Sequence, residues 1–271
     1  MKILYFGGGL GNQIFEYFFY LYLQKKYPDE KIYGVYNKKK LSEHNGLEIN
    51  KWFNVQLPVS NKLVTLLTYI LYIYKKVVKR SSLLDLNTRK CENEHALVFN
   101  AYKYARTYLP AELDLEWLNI KERLSVRNKE LLESIVNSNS YFVHVRKGDY
   151  LSPQYKATFE GTCPLSYYKQ SIEDIYSKEE NPRFYVFSDD MLWAIENLPL
   201  STAVYVDWNT GSDSPIDMYL MSQCKGAVMA NSTFSYWGAL LGKKKKVYYP
   251  RKWINSAYGI PDLFFDDWIS Y

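Results

Sequence analysis

Apolar positions along this chain switch between two periods, and the switch points repeat. Lys2-Ile-Leu-Tyr-Phe6 reads as a strand. It leads into Gly7-Gly-Gly-Leu-Gly-Asn-Gln13, after which Ile14, Phe15, Phe18, Phe19 and Tyr22 recur at helical spacing until Pro28 stops the pattern. A second strand is predicted at Lys31–Tyr36. Residues 37–60 and 85–125 carry little periodicity, and the alternating Glu112, Asp114 and Glu116 read as the exposed side of a loop or short strand. Lys62–Arg80 is the most apolar stretch, with an uncharged core of 12 residues, Leu63–Tyr74. That is well short of the roughly 20 residues needed to cross a bilayer. A buried or partly buried helix is expected there. An interfacial helix is the alternative, because the core runs into Lys75, Lys76, Lys79 and Arg80.

The second half has a regular rhythm. Strand-like runs at Tyr141–Arg146, Arg183–Phe187, Ala203–Val206, Gly226–Met229 and Lys246–Tyr249 alternate with helical runs near Leu165–Tyr176, Asp190–Leu198, Pro215–Cys224 and Thr233–Leu241. Such alternation predicts βαβ units and a parallel sheet, hence an α/β fold. Asn128–Val136 looks helical, and the Asn-Ser-Asn-Ser run that follows suggests a boundary, giving domains 1–136 and 137–271.

Composition narrows the classes. With 271 residues the chain can bury one large core or two smaller ones. A net charge of +5 without a basic tract interleaved with aromatics favours an anionic ligand or an acidic membrane surface over nucleic acid. The run Lys243–Lys246 reads as a solvated turn, with a lipid-facing patch as the alternative. Three cysteines share no metal-type spacing, and three histidines are too scattered for a metal site, so a reducing compartment and no bound metal are expected. Since the chain opens on a strand, no signal peptide is expected and the cytoplasm is the expected location, with contact at the inner membrane face left open. The 27 tyrosines exceed what core packing asks for and suit carbohydrate or interface contacts.

Candidate chemistry gathers where strands give way to helices. Gly7–Gln13, His144–Asp149, Ser188-Asp-Asp190 and Asn231-Ser-Thr-Phe-Ser235 are all polar junctions of this kind. In a parallel α/β domain such junctions share the sheet edge where ligands bind. Tyr141–Tyr150 is the most pointed of them. Its apolar strand ends in His144, Arg146, Lys147 and Asp149 around Gly148, and Arg reads phosphate with a planar fork of donors. A strand followed by a solvated turn is the plainer reading. Asn231–Thr233 can cap the next helix and equally offer that helix N-terminus to a phosphate. Asp189 and Asp190 are adjacent, unlike the Asp-x-Asp of metal-dependent sugar transferases, so a cap or a nucleoside contact competes with a metal site.

Taken together these blocks resemble the inverting α-1,2-fucosyltransferases of bacterial type. The shared motifs are Gly8–Gln13, His144-x-Arg-x-Gly-Asp-Tyr150, Gly161-Thr-Cys-Pro164, Phe187-Ser-Asp-Asp190, Asp217-Met-Tyr-Leu-Met-Ser222 and Asn231-Ser-Thr-Phe-Ser-Tyr-Trp-Gly238, in the family's order across nearly the whole chain. The resemblance implies a GT-B type fold, two Rossmann-like domains facing across a cleft, the first on the acceptor side and the second binding the donor. It implies transfer of L-fucose from GDP-β-L-fucose to the 2-hydroxyl of a terminal galactose, with inversion and no cofactor or essential metal, in surface glycan synthesis. A related inverting transferase with another donor or linkage, or a non-catalytic glycan-binding relative, are the alternatives. Three positions depart from the family: Lys147 where a second Arg is usual, Tyr236 in place of Trp, and Glu16 where many members carry Gln.

By position in these motifs, Arg146 is expected on the pyrophosphate, with Gly11, His144, Asn231, Ser232, Thr233 and Phe234 also around the donor and Asp189 on guanine. Asn12 is expected to orient donor or acceptor. Asp149 is the leading candidate for the base that takes the acceptor proton, with Glu160 second; Asp149 could instead pair with Arg146.

Overall fold

In the computed structural model the described residues are 1–78, 82–87, 90–100, 103–148, 150, 152–242, 246–255 and 261–271, with 76–78 described by backbone alone. They form two compact units, Met1–Leu118 and Asn119–Tyr271. The boundary falls before the Asn-Ser-Asn-Ser run because the Val126–Val136 helix belongs to the second unit. Its Leu131 and Ile135 are buried, and Asn128 bonds Asn209 of the same unit.

The first unit is a parallel four-stranded sheet of β1 (Lys2–Phe6), β2 (Ile32–Tyr36), β3 (Leu84–Asp85) and β4 (Val98–Asn100), ordered β2-β1-β4-β3. Its Leu10–Lys26 helix buries Ile14, Phe15, Phe18 and Phe19, as the periodicity predicts. Strands β3 and β4 carry no sequence signature, being two and three residues long. They pair in parallel, Leu84 with Val98 and Asp85 with Phe99, and Asp85 Oδ1 makes a buried ion pair with Lys103 Nζ at 2.8 Å. The other oxygen of Asp85 accepts the amides of Glu92 and Asn93, which satisfies a charge that burial alone would penalise. Glu112, Asp114 and Glu116 lie exposed on a loop, whose next residue, Trp117, makes a one-pair bridge with Phe53.

The second unit is a parallel six-stranded sheet of β5 (Asn139–Val145), β6 (Pro182–Ser188), β7 (Val204–Val206), β8 (Gly226–Val228), β9 (Lys246–Tyr249) and β10 (Ile269–Ser270). Its order, β10-β9-β8-β5-β6-β7, is the doubly wound arrangement, in which the chain runs outward one way from β5 and then the other way from β8. Helices Leu165–Lys178, Met191–Asn197, Ser214–Gln223 and Thr233–Leu240 connect the strands within a few residues of their predicted spans. Strand β5 is buried on both faces from Ser140 to Val145, which is why it reads as a continuous apolar run.

Much of the tyrosine excess is core. Tyr167 is buried and its hydroxyl donates to the carbonyls of Met229 (2.7 Å) and Tyr248 (2.9 Å), tying a helix to the ends of two strands. Tyr168 donates to His144 O and Tyr236 to Leu263 O, both from fully buried positions. A phenol packs like Phe while its tip satisfies a backbone carbonyl that an aliphatic core would leave unpaired.

Candidate active site

The reversal of strand order in the second unit lies between β5 and β8, and ligands in such sheets bind beyond the carboxyl ends of those strands. Beyond β5 the chain turns through Arg146, Lys147 and Gly148. Beyond β8 it passes Asn231 and Ser232 into the Thr233–Leu240 helix. The third contributor is the end of β6, beside β5, with Ser188, Asp189 and Asp190.

Asp189 organises the turn. Its Oδ2 lies 3.2 Å from Arg146 Nε, and its Oδ1 accepts the amide of Lys147 at 2.8 Å. A Cβ on Gly148 would come within 2.9 Å of Asp189 Oδ2, so only glycine lets the backbone pass this close to the carboxylate. The side chains of Arg146 and Asp189 are 27% and 22% exposed, so the pair is oriented by geometry and still open to solvent. Arg146 also sits over the ring of Tyr150, 5.6 Å from its centroid, and Lys147 Nζ sits 4.4 Å from that of Trp193. Lys147 therefore takes an aromatic partner that neither its own motif nor the family pattern announces.

The neighbouring polar groups are buried. Tyr150 stacks on Phe159 at 3.9 Å and donates to Asn231 O at 3.0 Å, linking the two strand ends. Asn231 is 2% exposed, and its Nδ2 donates to Thr162 Oγ1 and Trp253 O. Among the described residues, its Oδ1 has no hydrogen-bond partner, and neither has Nδ1 of His144. His144 is 5% exposed; burial, with the Arg146 guanidinium nearby, pushes its imidazole down to about 3, so the ring is neutral at any physiological pH. Ser232 caps the Thr233–Leu240 helix by accepting from Phe234 N, and the Phe234 ring lies 6.0 Å from that of His144. Arg146, Lys147, Tyr150, Phe159, Glu160, Thr162, Cys163 and Asn231 line one pocket with Gly161.

Of the residues expected from sequence, the structure thus brings His144, Arg146, Asp189, Asn231, Ser232, Thr233 and Phe234 to one sheet edge, with Glu160 at the pocket wall. Asp149 lies outside the described residues. Asp190 is a helix cap, accepting from Trp193 N. Gly11 and Asn12 lie in the first turn of the Leu10–Lys26 helix of the first unit, where Tyr104 donates to Asn12 Oδ1 at 3.1 Å. Gln13 is wholly buried in the same turn: its Nε2 donates to Gly8 O and Gly46 O, and its Oε1 accepts from Glu48 and Ile49. Glu16, also wholly buried, accepts from Gly7 N, and burial raises its carboxyl well above the usual range. Its carboxyl is close in size to the side-chain amide of the Gln that many family members carry. Among the described residues no group of three or more His, Cys, Asp or Glu is arranged to hold a metal.

Asp217 was visible as part of a motif but not as a site. It is partly buried in the first turn of the Ser214–Gln223 helix, accepts from Asn209 Nδ2 at 2.7 Å, and loss of solvation pushes its carboxyl up to about 8. Asn209, Asn128 and Trp208 extend this network. Spacing along the chain gives no hint of it, because Asn128 and Asn209 meet only in three dimensions.

Two parallel α/β units, with this edge on the second, give the chain a GT-B type fold. The fucosyltransferase NodZ from Bradyrhizobium shares the fold with a TM-score of 0.55 at 13% identity, covering 89% of this chain and 92% of that one. Residues 112–270 match the model of glycosyl transferase family 11, and the chain belongs to that family of α-1,2-fucosyltransferases. Two relatives from Escherichia coli are each 28% identical. They are the O-antigen biosynthesis glycosyltransferase WbnK, over 97% of this chain and 98% of its own, and an alpha-1,2-colitosyltransferase, over 86% and 85%.

Proposed function

We propose that this enzyme transfers L-fucose from GDP-β-L-fucose to the 2-hydroxyl of a terminal galactose, with inversion and without an essential metal, in the synthesis of an O-antigen or capsular glycan. The observation that carries this reading is Arg146, braced by Asp189 at the switch point and lining one pocket with buried Asn231, which leads into the capped Thr233–Leu240 helix. In glycosyl transfer the sugar becomes oxocarbenium-like and negative charge builds on the departing diphosphate. A fixed guanidinium and a helix N-terminus are the groups that stabilise that charge.

In this reading the second unit binds the donor and the first serves the acceptor side, while Gly11 belongs with the donor groups and Asn12 orients donor or acceptor. Neutral His144 and the Oδ1 of Asn231 accept hydrogen bonds from ribose or guanine, and Phe234 packs beside them. Asp189 orients Arg146, and a guanine contact from its carboxylate requires that brace to open. The acceptor proton passes to Asp149 or to Glu160, whose carboxylate pairs with Lys156 at 3.5 Å. Comparing Asp149→Asn with Glu160→Gln separates them, since only loss of the base removes turnover while donor binding persists.

The colitosyltransferase relative favours one second reading, an activated colitose donor with the same linkage. Incubation with GDP-fucose or a GDP-colitose donor and lactose, with and without EDTA, followed by linkage mapping, distinguishes the two. An α-1,2-fucosylated product that forms equally in EDTA is expected. Transfer only from colitose, transfer to another hydroxyl, or dependence on a metal would each overturn the corresponding part.

A further inference from the structure

The Lys62–Val78 helix of the first unit is only half used by the fold. Val64, Leu71 and Tyr72 pack against the core of Ile3, Val35, Leu84 and Val98, and Thr68 is buried with its hydroxyl bonded to Val64 O. Of the buried or partly buried helix expected from sequence, the structure shows the partly buried form, with one buried stripe. Leu63, Leu66, Ile70 and Ile73, spaced by three, four and three residues, form a second stripe that is 77%, 57%, 53% and 64% exposed, flanked by Tyr69 and Tyr74. Scattered exposed apolar residues are ordinary, but a continuous stripe on one helix marks an interaction face.

Charge says what would cover it. From Ile49 to Leu84 the sequence holds six basic residues, Lys51, Lys62, Lys75, Lys76, Lys79 and Arg80, and no acidic one. That segment carries +6 in a chain whose total is +5, so the rest of the molecule together carries −1. A second copy docking through this helix would set Lys62 opposite Lys62 or Lys75 of its partner in either direction, and like charges oppose it. An anionic lipid surface answers both features, with acyl chains for the stripe and headgroup phosphates for the lysines at its ends. The uncharged stretch of 12 residues is about 18 Å long, too short to cross, and the helix is not long and apolar enough to span a membrane.

We propose that the exposed Leu63–Tyr74 face of this helix is a membrane-docking surface that lies in the plane of an anionic bilayer, its apolar stripe among the upper acyl chains and its flanking lysines on lipid phosphates. The test is co-sedimentation of the full chain with vesicles of phosphatidylcholine alone or mixed with phosphatidylglycerol. Binding to the mixed vesicles, weakened by salt, is expected, and Leu66→Glu with Ile70→Glu should cut the partition coefficient about tenfold or more. Both side chains are exposed, so the thermal midpoint should not move; should the pair fail to fold, Lys62→Glu with Lys75→Glu leaves the stripe intact and should remove the preference for phosphatidylglycerol. No binding by the unaltered chain, or equal binding by folded variants, overturns the proposal. So does a dimer in sedimentation that the Leu66 and Ile70 substitutions dissolve without any vesicle binding.

Discussion

The glycine loop after β1 and the basic turn after β5 are both first strand-to-helix junctions of parallel α/β units, yet they use their polar residues in opposite ways. In the first, Gln13 turns all of its hydrogen-bonding capacity inward, onto Gly8, Gly46, Glu48 and Ile49. In the second, Asp189 fixes a guanidinium that stays partly exposed, and buried acceptors on His144 and Asn231 have no partner among the described residues. Gln13 serves the shape of its junction, whereas the second junction keeps groups that the proposed donor can use. Polar residues at a sheet edge do not by themselves distinguish these roles; where their hydrogen bonds go does.

The largest effect expected from breaking this contrast is at Arg146. Arg146→Ala should lower kcat by about a hundred- to a thousandfold or more, about 3–4 kcal/mol of barrier, with circular dichroism and thermal midpoint unchanged. Near-normal turnover would show that the charge on the leaving group is met elsewhere. At the other junction the loss should be structural. Gln13→Ala leaves buried amides and carbonyls unpaired and should cost about 2–3 kcal/mol in denaturant unfolding, with the donor's KM little altered in the folded fraction.

Titration sharpens the comparison further. The imidazole of His144 is held down to about 3, so the unfolded chain binds its proton first. Its stability contribution is complete above about pH 6.5 and is lost as pH falls toward 3. Asp217 runs the other way. Its carboxyl is raised to about 8, so the stability it lends is complete below the usual carboxylate range near 4 and is lost as pH rises through 8. Asp217→Asn should therefore match the unaltered protein in thermal midpoint near pH 4 and exceed it near pH 9. An equal shift at both pH values would mean the carboxyl is not neutral in the folded state.

The smallest effect belongs to Tyr150. Tyr150→Phe keeps the stack on Phe159 and loses the bond to Asn231 O, so it should cost about 1 kcal/mol in stability and move the donor KM by a few-fold. Loss of stability on the scale of Gln13→Ala would place Tyr150 with the structural junction instead.

Periodicity and punctuation in the sequence determined the α/β class, five of the six strands of the second sheet and the four helices between them within a few residues, and the sheet edge at which His144, Arg146, Asp189 and Asn231–Phe234 would meet. These are local properties: a strand buried on both faces must be apolar throughout, and its end must change character where ligand chemistry begins. Tertiary structure alone decided the rest. Asp85 of β3 is paired with Lys103, 18 residues away, and the Asn128–Asn209–Asp217 network joins groups as many as 89 apart. The sequence placed Asp189 in the site and Lys62–Arg80 in a helix. Only the fold put that carboxylate on Arg146, and only the fold showed which stripe of the helix it buries, because partners distant in sequence leave no period to read.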